Sequence, residues 1–398
     1  MTVLERFLDY VAYPTMSDET STTCPSTEKQ WALAHRLVDD LLSLGLSDAH
    51  VDMYGYVYAS IPPTAEGLPA IALFAHMDTA HEAPDAPVRA RVVDYEGGDI
   101  ELSEGIVMSP SAFPTLSELS GEHLVVTDGH TLLGGDDKAG IAEILTALER
   151  LLASGCPHGR VAVVLTPDEE IGRGCDHIDL SKIACDFGYT VDGGDPRELQ
   201  YENFNAARAK IAIRGTPIHP GAAKGKMVNA ARIAAELDAA LPPEEIPELT
   251  EGREGFHHLL SITGDTAEAH LDYLIRDHDE AKFLRKKEDF CRLCEEANRR
   301  YGEGTVTLTL SDTYYNMASV HTAHPAALER ARLAMRHVGL SPHCESIRGG
   351  TDGAALSFLG LPCPNLGTGT RHMHSVYELV SVEAMEKVTE LLFTILTI

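Results

Sequence analysis

The chain has 398 residues, and its 61 acidic side chains outnumber its 32 lysines and arginines to give a formal net charge of −29. Such acidity argues against nucleic acid or an anionic membrane surface as a partner, because both would repel the chain. Its 8 cysteines form no disulfide framework, no apolar run reaches the roughly 20 residues that cross a bilayer, and no signal peptide is recognisable, so we expect a cytoplasmic protein.

The first half of the chain alternates between helical and strand patterns. Leucines at helical spacing predict a helix that ends at Gly45, and residues 69–75 form an apolar run typical of a strand covered on both faces. A second amphipathic helix follows from Ile141, and a second buried strand spans 161–165. The turn-rich stretch 82–114 indicates surface loops. This alternation predicts an α/β fold, with ligands at the carboxyl ends of the strands of a mixed sheet that has helices on both faces.

The pattern changes near residue 204. Strand and helix patterns then follow in the order β-α-β-β-α-β, with a Gly-Asp turn at 264–265 between the middle strands. This is the order of a ferredoxin-like unit. Helices and buried strands return from about residue 317. We therefore predict a catalytic domain in two parts, 1–204 and 317–398, interrupted by an inserted α+β domain at 205–316.

Polar side chains follow several of the predicted strands. His76 comes directly after the apolar run at 69–75, and Asp78 is two residues further on. A histidine at a strand end can bind a metal while a nearby carboxylate orients its ring, although a loop histidine bonded to an aspartate is the simpler interpretation. Asp136 and Asp137 follow two glycines just before a predicted helix, and Asp137 is expected to cap that helix.

Further motifs add carboxylates and a second histidine. Glu169 and Glu170 belong to a run of adjacent carboxylates, which repel one another unless a cation is present or the run lies in solvent. Asp192 ends another strand beside glycines, and His374 lies in a short His-rich segment. Together the motifs offer two imidazoles and three carboxylates, a set that suits Zn²⁺, with Co²⁺ or Mn²⁺ possible.

Five ligands are too many for one tetrahedral zinc. They fit two metals that share a bridging carboxylate, roughly 3.5–4 Å apart, with a water or hydroxide between them. The spare carboxylate beside a ligand would then serve as the general base. The combination therefore predicts a dinuclear metal centre more strongly than any single motif does.

The remaining candidates carry weaker signals. Arg348 stands on a Gly-rich turn whose spacing is not that of a phosphate loop. Its guanidinium suits a carboxylate ligand, and a purely structural turn is the alternative. His219 and Asn229 occupy turn or helix-start positions in the inserted domain. The single Cys-x-x-Cys pair at 291–294 lies on a helical pattern, which favours core packing over a metal site.

These motifs together resemble those of a known family. The sequence is similar to the peptidase T family of tripeptide aminopeptidases, within the dizinc metallopeptidase superfamily that includes aminoacylases and carboxypeptidase G-type enzymes. The metal motifs belong to the whole superfamily, whereas Asn-Phe-Asn-Ala at 203–206 and Tyr-Tyr-Asn-Met at 314–317 indicate the family itself. The resemblance runs from residue 4 to the C-terminus and also includes the segments at 76–79, 127–143, 166–170, 189–194, 219–221, 347–353 and 361–366.

The resemblance implies a metallo-aminopeptidase that holds two Zn²⁺ per subunit and acts on short peptides. It implies this ligand set: His76 and Asp192 on one metal, Glu170 and His374 on the other, and Asp136 as the bridge. Glu169 would be the general base, taking a proton from the bridging water as it attacks the scissile carbonyl and passing it to the leaving amine. Asp78 would hold His76 and tune its basicity.

The resemblance also implies contacts to substrate. His219, on an inserted domain that serves as lid and dimerisation domain, would help to stabilise the tetrahedral oxyanion, in this superfamily often from the partner subunit of a homodimer. Arg348 and Arg276 would grip the peptide carboxylate, and an acidic floor would receive the substrate ammonium. The expected substrate-binding residues are His219, Asn229, Arg276 and Arg348.

One segment departs from the family. Peptidase T usually has a second histidine after the last metal ligand, followed by glutamate, whereas here Tyr377 precedes Glu378. His372 is also a nearby competitor for the role of His374. The change leaves the preferred substrate open. Alternatives to the aminopeptidase are an N-acyl-amino-acid deacylase or metallocarboxypeptidase of the same superfamily, or a catalytically silent metal- or peptide-binding protein.

Overall fold

A computed structural model describes all 398 residues, which form two compact units. The first comprises Met1–Tyr201, Ser319–Glu345 and Thr351–Ile398, and the second comprises Glu202–Ala318 and Ser346–Gly350. The predicted insertion at 205–316 lies inside the second unit. The short segment Ser346–Gly350 was not predicted to join it, and it does so because the Ile347 N–H donates to the Glu202 carbonyl oxygen at 2.9 Å.

Ten α-helices and seventeen strands are present along the chain. In chain order they are α1 Val3–Tyr10, α2 Gln30–Ser43, β1 His50–Val51, β2 Val57–Ile61, β3 Ile71–His76, β4 Arg91–Tyr95, β5 Ile100–Ser103, β6 Ile106–Met108, β7 Glu122–Val126, α3 Gly135–Ser154, β8 Val161–Thr166, α4 Leu180–Ile183, β9 Phe187–Val191, β10 Leu199–Gln200, β11 Asn205–Arg214, α5 Ala230–Asp238, β12 Phe256–Gly264, β13 Glu268–Asp277, α6 Glu280–Tyr301, β14 Val306–Tyr314, α7 Ala318–Ala323, α8 Ala326–His337, α9 Asp352–Phe358, β15 Asn365–Leu366, β16 Thr370–Arg371, β17 Leu379–Ser381 and α10 Val382–Thr397. No helix is both long enough and apolar enough to span a membrane.

The first unit is built on a seven-stranded sheet in the order β1-β2-β8-β3-β9-β15-β10. Its central strands β8, β3, β9 and β15 are parallel, and antiparallel strands flank them on both sides. Alternate residues of β3 pack into different cores, with Leu73 on the face covered by α1, α2, α3, α8 and α10 and Phe74 on the face covered by α4 and α9. The predicted mixed-sheet α/β fold with helices on both faces is confirmed.

The prediction of surface loops for 82–114 was wrong, because this stretch contains β4, β5 and β6. β4 pairs with β7 in a four-stranded antiparallel sheet, β16-β17-β7-β4, while β5 and β6 form a hairpin. Tyr95, Ile100 and Met108 are buried in a small core of their own. The strands are only three to five residues long and turns separate them, so their alternation is too short to be recognised in the sequence.

The second unit has a four-stranded antiparallel sheet in the order β12-β13-β11-β14. Its elements follow one another as β11-α5-β12-β13-α6-β14, which is the predicted β-α-β-β-α-β order. Residues 207, 209, 211 and 213 of β11 alternate into a core with Ile233 of α5 and Phe290 of α6. The helices therefore cover one face of this sheet.

Because of Glu143, on α3, we expect the free energy of unfolding to depend on pH. Its side chain is fully buried, and neither carboxylate oxygen has a hydrogen-bond partner. Burial raises the pKa of Glu143 well above its ordinary value of 4.5. The folded chain therefore keeps the neutral carboxyl where the unfolded chain ionises, and stability is lost as the pH rises from 4.5 towards the folded-state pKa.

We expect Glu143→Gln, which removes this titration, to become more stable relative to the parent by about 1.4 kcal/mol for each pH unit above 4.5, up to the folded-state pKa. Urea unfolding of both proteins between pH 4 and 8 measures the difference. Glu66→Gln is the control, because Glu66 is exposed in a turn after β2. A difference between Glu143→Gln and the parent that did not change with pH would contradict the expectation.

Candidate metal centre

The carboxyl ends of three parallel strands bring the predicted ligands together. His76 is the last residue of β3 and lies beside Thr166, the last residue of β8. Glu169 and Glu170 follow β8 in a single 3₁₀ turn, and Asp192 follows β9. Because β3 is parallel to both β8 and β9, all of these side chains are at the same edge of the sheet.

Asp136 lies between the two predicted histidine ligands. His76 Nε2 is 2.9 Å from Asp136 Oδ1, and His374 Nε2 is 3.4 Å from Asp136 Oδ2. His374 Nε2 is also 3.0 Å from Glu170 Oε2. Three potential ligand atoms, one each from His76, Asp136 and Glu170, lie within 4.8 Å of one another. Each oxygen of the Asp136 carboxylate thus faces a different imidazole, which is the arrangement that a bridging ligand requires.

A second set of ligand atoms joins His76 to Asp137 and Asp192, again within 4.8 Å of one another. Asp137 is buried, and its Oδ2 accepts the backbone N–H of His76 at 3.1 Å, while Oδ1 has no hydrogen-bond partner. The expectation that Asp137 caps α3 was therefore wrong. Asp137 instead fixes the end of β3, because Asp136 and Asp137 themselves do not have helical φ/ψ angles and the Asp137 side chain reaches the His76 N–H.

The cluster concentrates negative charge. Burial, followed by the charge of Asp136, raises the pKa of Asp192 to about 8. The pKa of Glu170 is raised for the same two reasons. Hydrogen bonds to the Asp136 and Glu170 carboxylates in turn raise the pKa of His374 to about 11. Protons or divalent cations would neutralise this charge, so the electrostatics favour a cation site.

Asp78 contacts both the histidine end and the glutamate end of the cluster. His76 Nδ1 lies 3.0 Å from the Asp78 carbonyl oxygen and 3.4 Å from its Oδ1. The two carboxylate oxygens accept the backbone N–H groups of Glu169 at 3.0 Å and Glu170 at 3.1 Å. With Nδ1 donating to Asp78, Nε2 of His76 keeps its lone pair for a metal. Asp78 therefore contacts the histidine ring and also anchors the turn that carries the two glutamates.

Asp168 fixes the same turn from the other side. Asp168 is fully buried. Its backbone has a left-handed conformation with φ 60°, which costs a non-glycine residue about 1–3 kcal/mol. Its carboxylate accepts the Ser26 N–H at 2.8 Å, the Ser26 hydroxyl at 2.6 Å and the Gln30 amide at 2.7 Å. These bonds offset the strain and direct Glu169 and Glu170 towards the cluster. The role of Asp168 was not predicted.

Two histidines, His372 and His374, are candidates for the last predicted ligand position. His372 Nε2 lies 3.0 Å from Thr115 Oγ1, and its ring packs edge-on against Phe113. His374, not His372, therefore reaches the cluster. His374 Nδ1 lies 3.3 Å from Glu82 Oε1, a carboxylate that the sequence did not single out. His374 is 42% exposed, so the cluster is accessible from solvent on this side.

Arg348 and Arg276, both predicted to bind substrate, lie in the second unit. The Arg348 guanidinium donates to the carbonyl oxygens of Gly252 at 2.7 Å, Glu254 at 3.1 Å and Thr250 at 3.2 Å. Arg276 donates through Nη1 to the Arg348 carbonyl oxygen at 2.9 Å, while its buried Nε has no hydrogen-bond partner. Arg348 thus serves the local backbone, and Arg276 supports the Arg348 backbone and lies beside the Tyr314 side chain.

His219 and Asn229 are also in the second unit. His219 is exposed, and its Nδ1 accepts the Gly221 N–H at 3.1 Å. Asn229 is the N-cap of α5, where its side chain accepts the Arg232 N–H at 3.1 Å. Both side chains stabilise local backbone, and their contact with substrate stays a prediction.

The fold and the donor set together define a class, the metal-dependent hydrolases. Residues 126–397 match the model of Peptidase family M20/M25/M40, and the chain belongs to this family. It is therefore a peptidase, and the family resemblance inferred from the sequence is confirmed.

Similar proteins cover the whole chain. Peptidase T of Halothermothrix orenii is 49% identical over 399 residues, which is 99% of this chain and 98% of that protein. The crystal structure of aminopeptidase PepT from Bacillus cereus has a TM-score of 0.79 at 22% identity, with 99% and 97% of the two chains covered. A dinuclear metal binding peptidase of the M20 family from Bacillus subtilis has a TM-score of 0.67 at 14% identity, with 99% and 96% covered. At these identities the two structures show the fold.

Proposed function

We propose that this chain is a dizinc aminopeptidase that removes the N-terminal residue from short peptides with a free amino terminus, tripeptides first. The observation that carries the proposal is the position of Asp136 between His76 and His374, with Glu170 beside it. The full-length similarity to Peptidase T of Halothermothrix orenii supports the choice of substrate.

The donor set fits divalent metal ions. Glu170 Oε1, which belongs to one of the proposed ligands, is buried without a hydrogen-bond partner and is therefore available to a cation. Imidazole combined with carboxylate suits Zn²⁺, with Co²⁺ or Mn²⁺ as substitutes. The proposed holders are His76, Asp192, Glu170, His374 and the bridging Asp136. When bound, such ions lower the pKa of water and polarise a carbonyl oxygen.

Glu169 is the proposed general base. Its backbone N–H is anchored by Asp78 at 3.0 Å, so its side chain is placed by a fixed turn. It neighbours the proposed ligand Glu170 and lines the same small cavity as His76 and Asp192. In the proposed reaction the Glu169 carboxylate accepts a proton from the attacking water and then delivers it to the leaving amine.

The proposed substrate contacts come from the second unit. We propose that the Arg276 guanidinium, which donates to a single backbone carbonyl, binds the peptide carboxylate, whereas the Arg348 donors already hold three backbone carbonyls. His219 is proposed to help stabilise the oxyanion, and a homodimer through this unit remains part of the proposal.

Hydrolysis of an unblocked tripeptide by zinc-loaded protein tests the proposed function, with the dipeptide and the N-acetylated tripeptide in parallel. We expect release of the N-terminal residue from the free tripeptide and no cleavage of the acetylated form. Cleavage of the acetylated peptide alone would point to a deacylase. Cleavage of none of the three would indicate a silent relative.

A further inference from the structure

Glu378 gathers three backbone N–H groups onto one carboxylate. Its Oε2 accepts from Leu133 at 3.0 Å and from Gly134 at 2.8 Å, and its Oε1 accepts from Asp136 at 2.9 Å. The side chain is only 2% exposed. Because a buried N–H without an acceptor costs about 1–3 kcal/mol, these three hydrogen bonds to one side chain hold the turn at residues 133–136 in place.

The N–H groups of this turn, at residues 133–136, do not find acceptors within the turn itself. Gly134 has a left-handed φ of 78°, and Asp136 has φ −83° and ψ 102°, neither of which is helical. The backbone donors here therefore lie outside the regular pairing of α3, and buried donors must find another acceptor. Packing is also close: a Cβ on Gly135 would lie 2.5 Å from a Val380 methyl carbon and 3.1 Å from Glu378 Oε1.

Glu378 itself is placed by a sheet. β17 begins at the next residue, Leu379, which pairs with Val126 of β7. Four residues before Glu378 is His374, whose Nε2 faces the Asp136 carboxylate. One short segment of chain thus supplies a proposed ligand and also the acceptor that fixes the backbone of the proposed bridging residue.

We propose that Glu378 is a positioning residue for the dinuclear centre. By fixing the Asp136 N–H, it sets the direction of the Asp136 side chain, so that one oxygen faces His76 and the other faces His374. This inference rests on the proposed function and deepens it. A residue with a merely structural role would change the stability of the fold, whereas a positioning residue changes the affinity for metal in a folded chain.

Glu378→Gln tests the role, because the amide keeps the size of the side chain but replaces one acceptor by a donor. We expect the variant to fold and to bind Zn²⁺ about 10–100-fold more weakly, the usual effect of losing a partner that orients a ligand. Competition with a chromophoric chelator measures the affinity. In the zinc-free protein, hydrogen exchange of the Leu133, Gly134 and Asp136 amides should accelerate.

Glu383→Gln is the matched control. Its carboxylate accepts the His123 N–H at 2.9 Å but lies on α10, 40% exposed, and we expect its zinc affinity to equal that of the parent. Unchanged zinc affinity in Glu378→Gln would overturn the proposal, as would equal losses in both variants.

Glu378→Asp covers the case in which Glu378→Gln does not fold. The shorter side chain keeps the charge but cannot reach all three N–H groups, so parental zinc affinity in this variant would also overturn the proposal. Amide exchange is measured without metal and therefore tests the hold on the turn even if the parent bound no zinc. A parent protein that bound no zinc would refute the proposed function, and not the role of Glu378 in holding the turn.

Discussion

Glu169→Gln is expected to lower turnover of a free tripeptide by about 10²–10⁴-fold, the usual contribution of a general base. The amide cannot accept the proton of the attacking water. Glu169 does not belong to the proposed ligand set, so bound zinc should remain at the parental level. Steady-state kinetics together with metal analysis of the same samples measure both quantities.

Glu96→Gln is the control for this substitution, since Glu96 is exposed in the turn after β4. Its turnover should equal that of the parent. Parental turnover in Glu169→Gln would remove the general base from the mechanism. Loss of zinc along with activity would instead place Glu169 among the ligands.

Asp136→Asn is expected to weaken zinc binding by more than 100-fold, beyond the roughly 10–100-fold caused by loss of an orienting partner. The carboxylate places one oxygen towards each histidine, and the amide offers only one oxygen and no charge. A 100-fold weaker Kd removes about 2.7 kcal/mol of the stabilisation by bound metal. At saturating zinc this should lower the Tm relative to the parent by roughly 3–5 °C, because the unfolding entropy of a chain of this length is large.

The thermal shift must be specific to metal. The quantity compared is therefore the Tm with zinc minus the Tm with a chelator, which should be smaller in Asp136→Asn than in the parent. Asp99→Asn, at an exposed position before β5, should retain the full zinc-dependent shift. If Asp136→Asn kept that shift as well, Asp136 would not be a shared ligand.

Local hydrophobic patterns in the sequence predicted most of the fold and identified the residues at strand ends. Buried strands such as β3 and β8 are continuous apolar runs, and the residue after such a run must be at the edge of the sheet. This is why the sequence predicts that His76 and Asp192 each lie at the end of a strand. The inserted unit was predicted because its alternation of strand and helix is long and regular.

Partners that are distant in the chain could not be predicted. Glu378 accepts N–H groups from residues about 240 positions earlier, and Asp168 is satisfied by Ser26. Neither pairing leaves a local signal, because each depends on how the elements pack. Asp137 was assigned to the nearest helix for the same reason, although its actual partner is the His76 N–H across the sheet edge.

The proposed dinuclear centre is tested most directly by anomalous diffraction from a crystal of the zinc-loaded protein, collected on both sides of the zinc absorption edge. We predict two zinc peaks per chain, one on each side of the Asp136 carboxylate, with His76 on one ion and His374 on the other. A single peak, or an ion held by His372 in place of His374, would contradict this account.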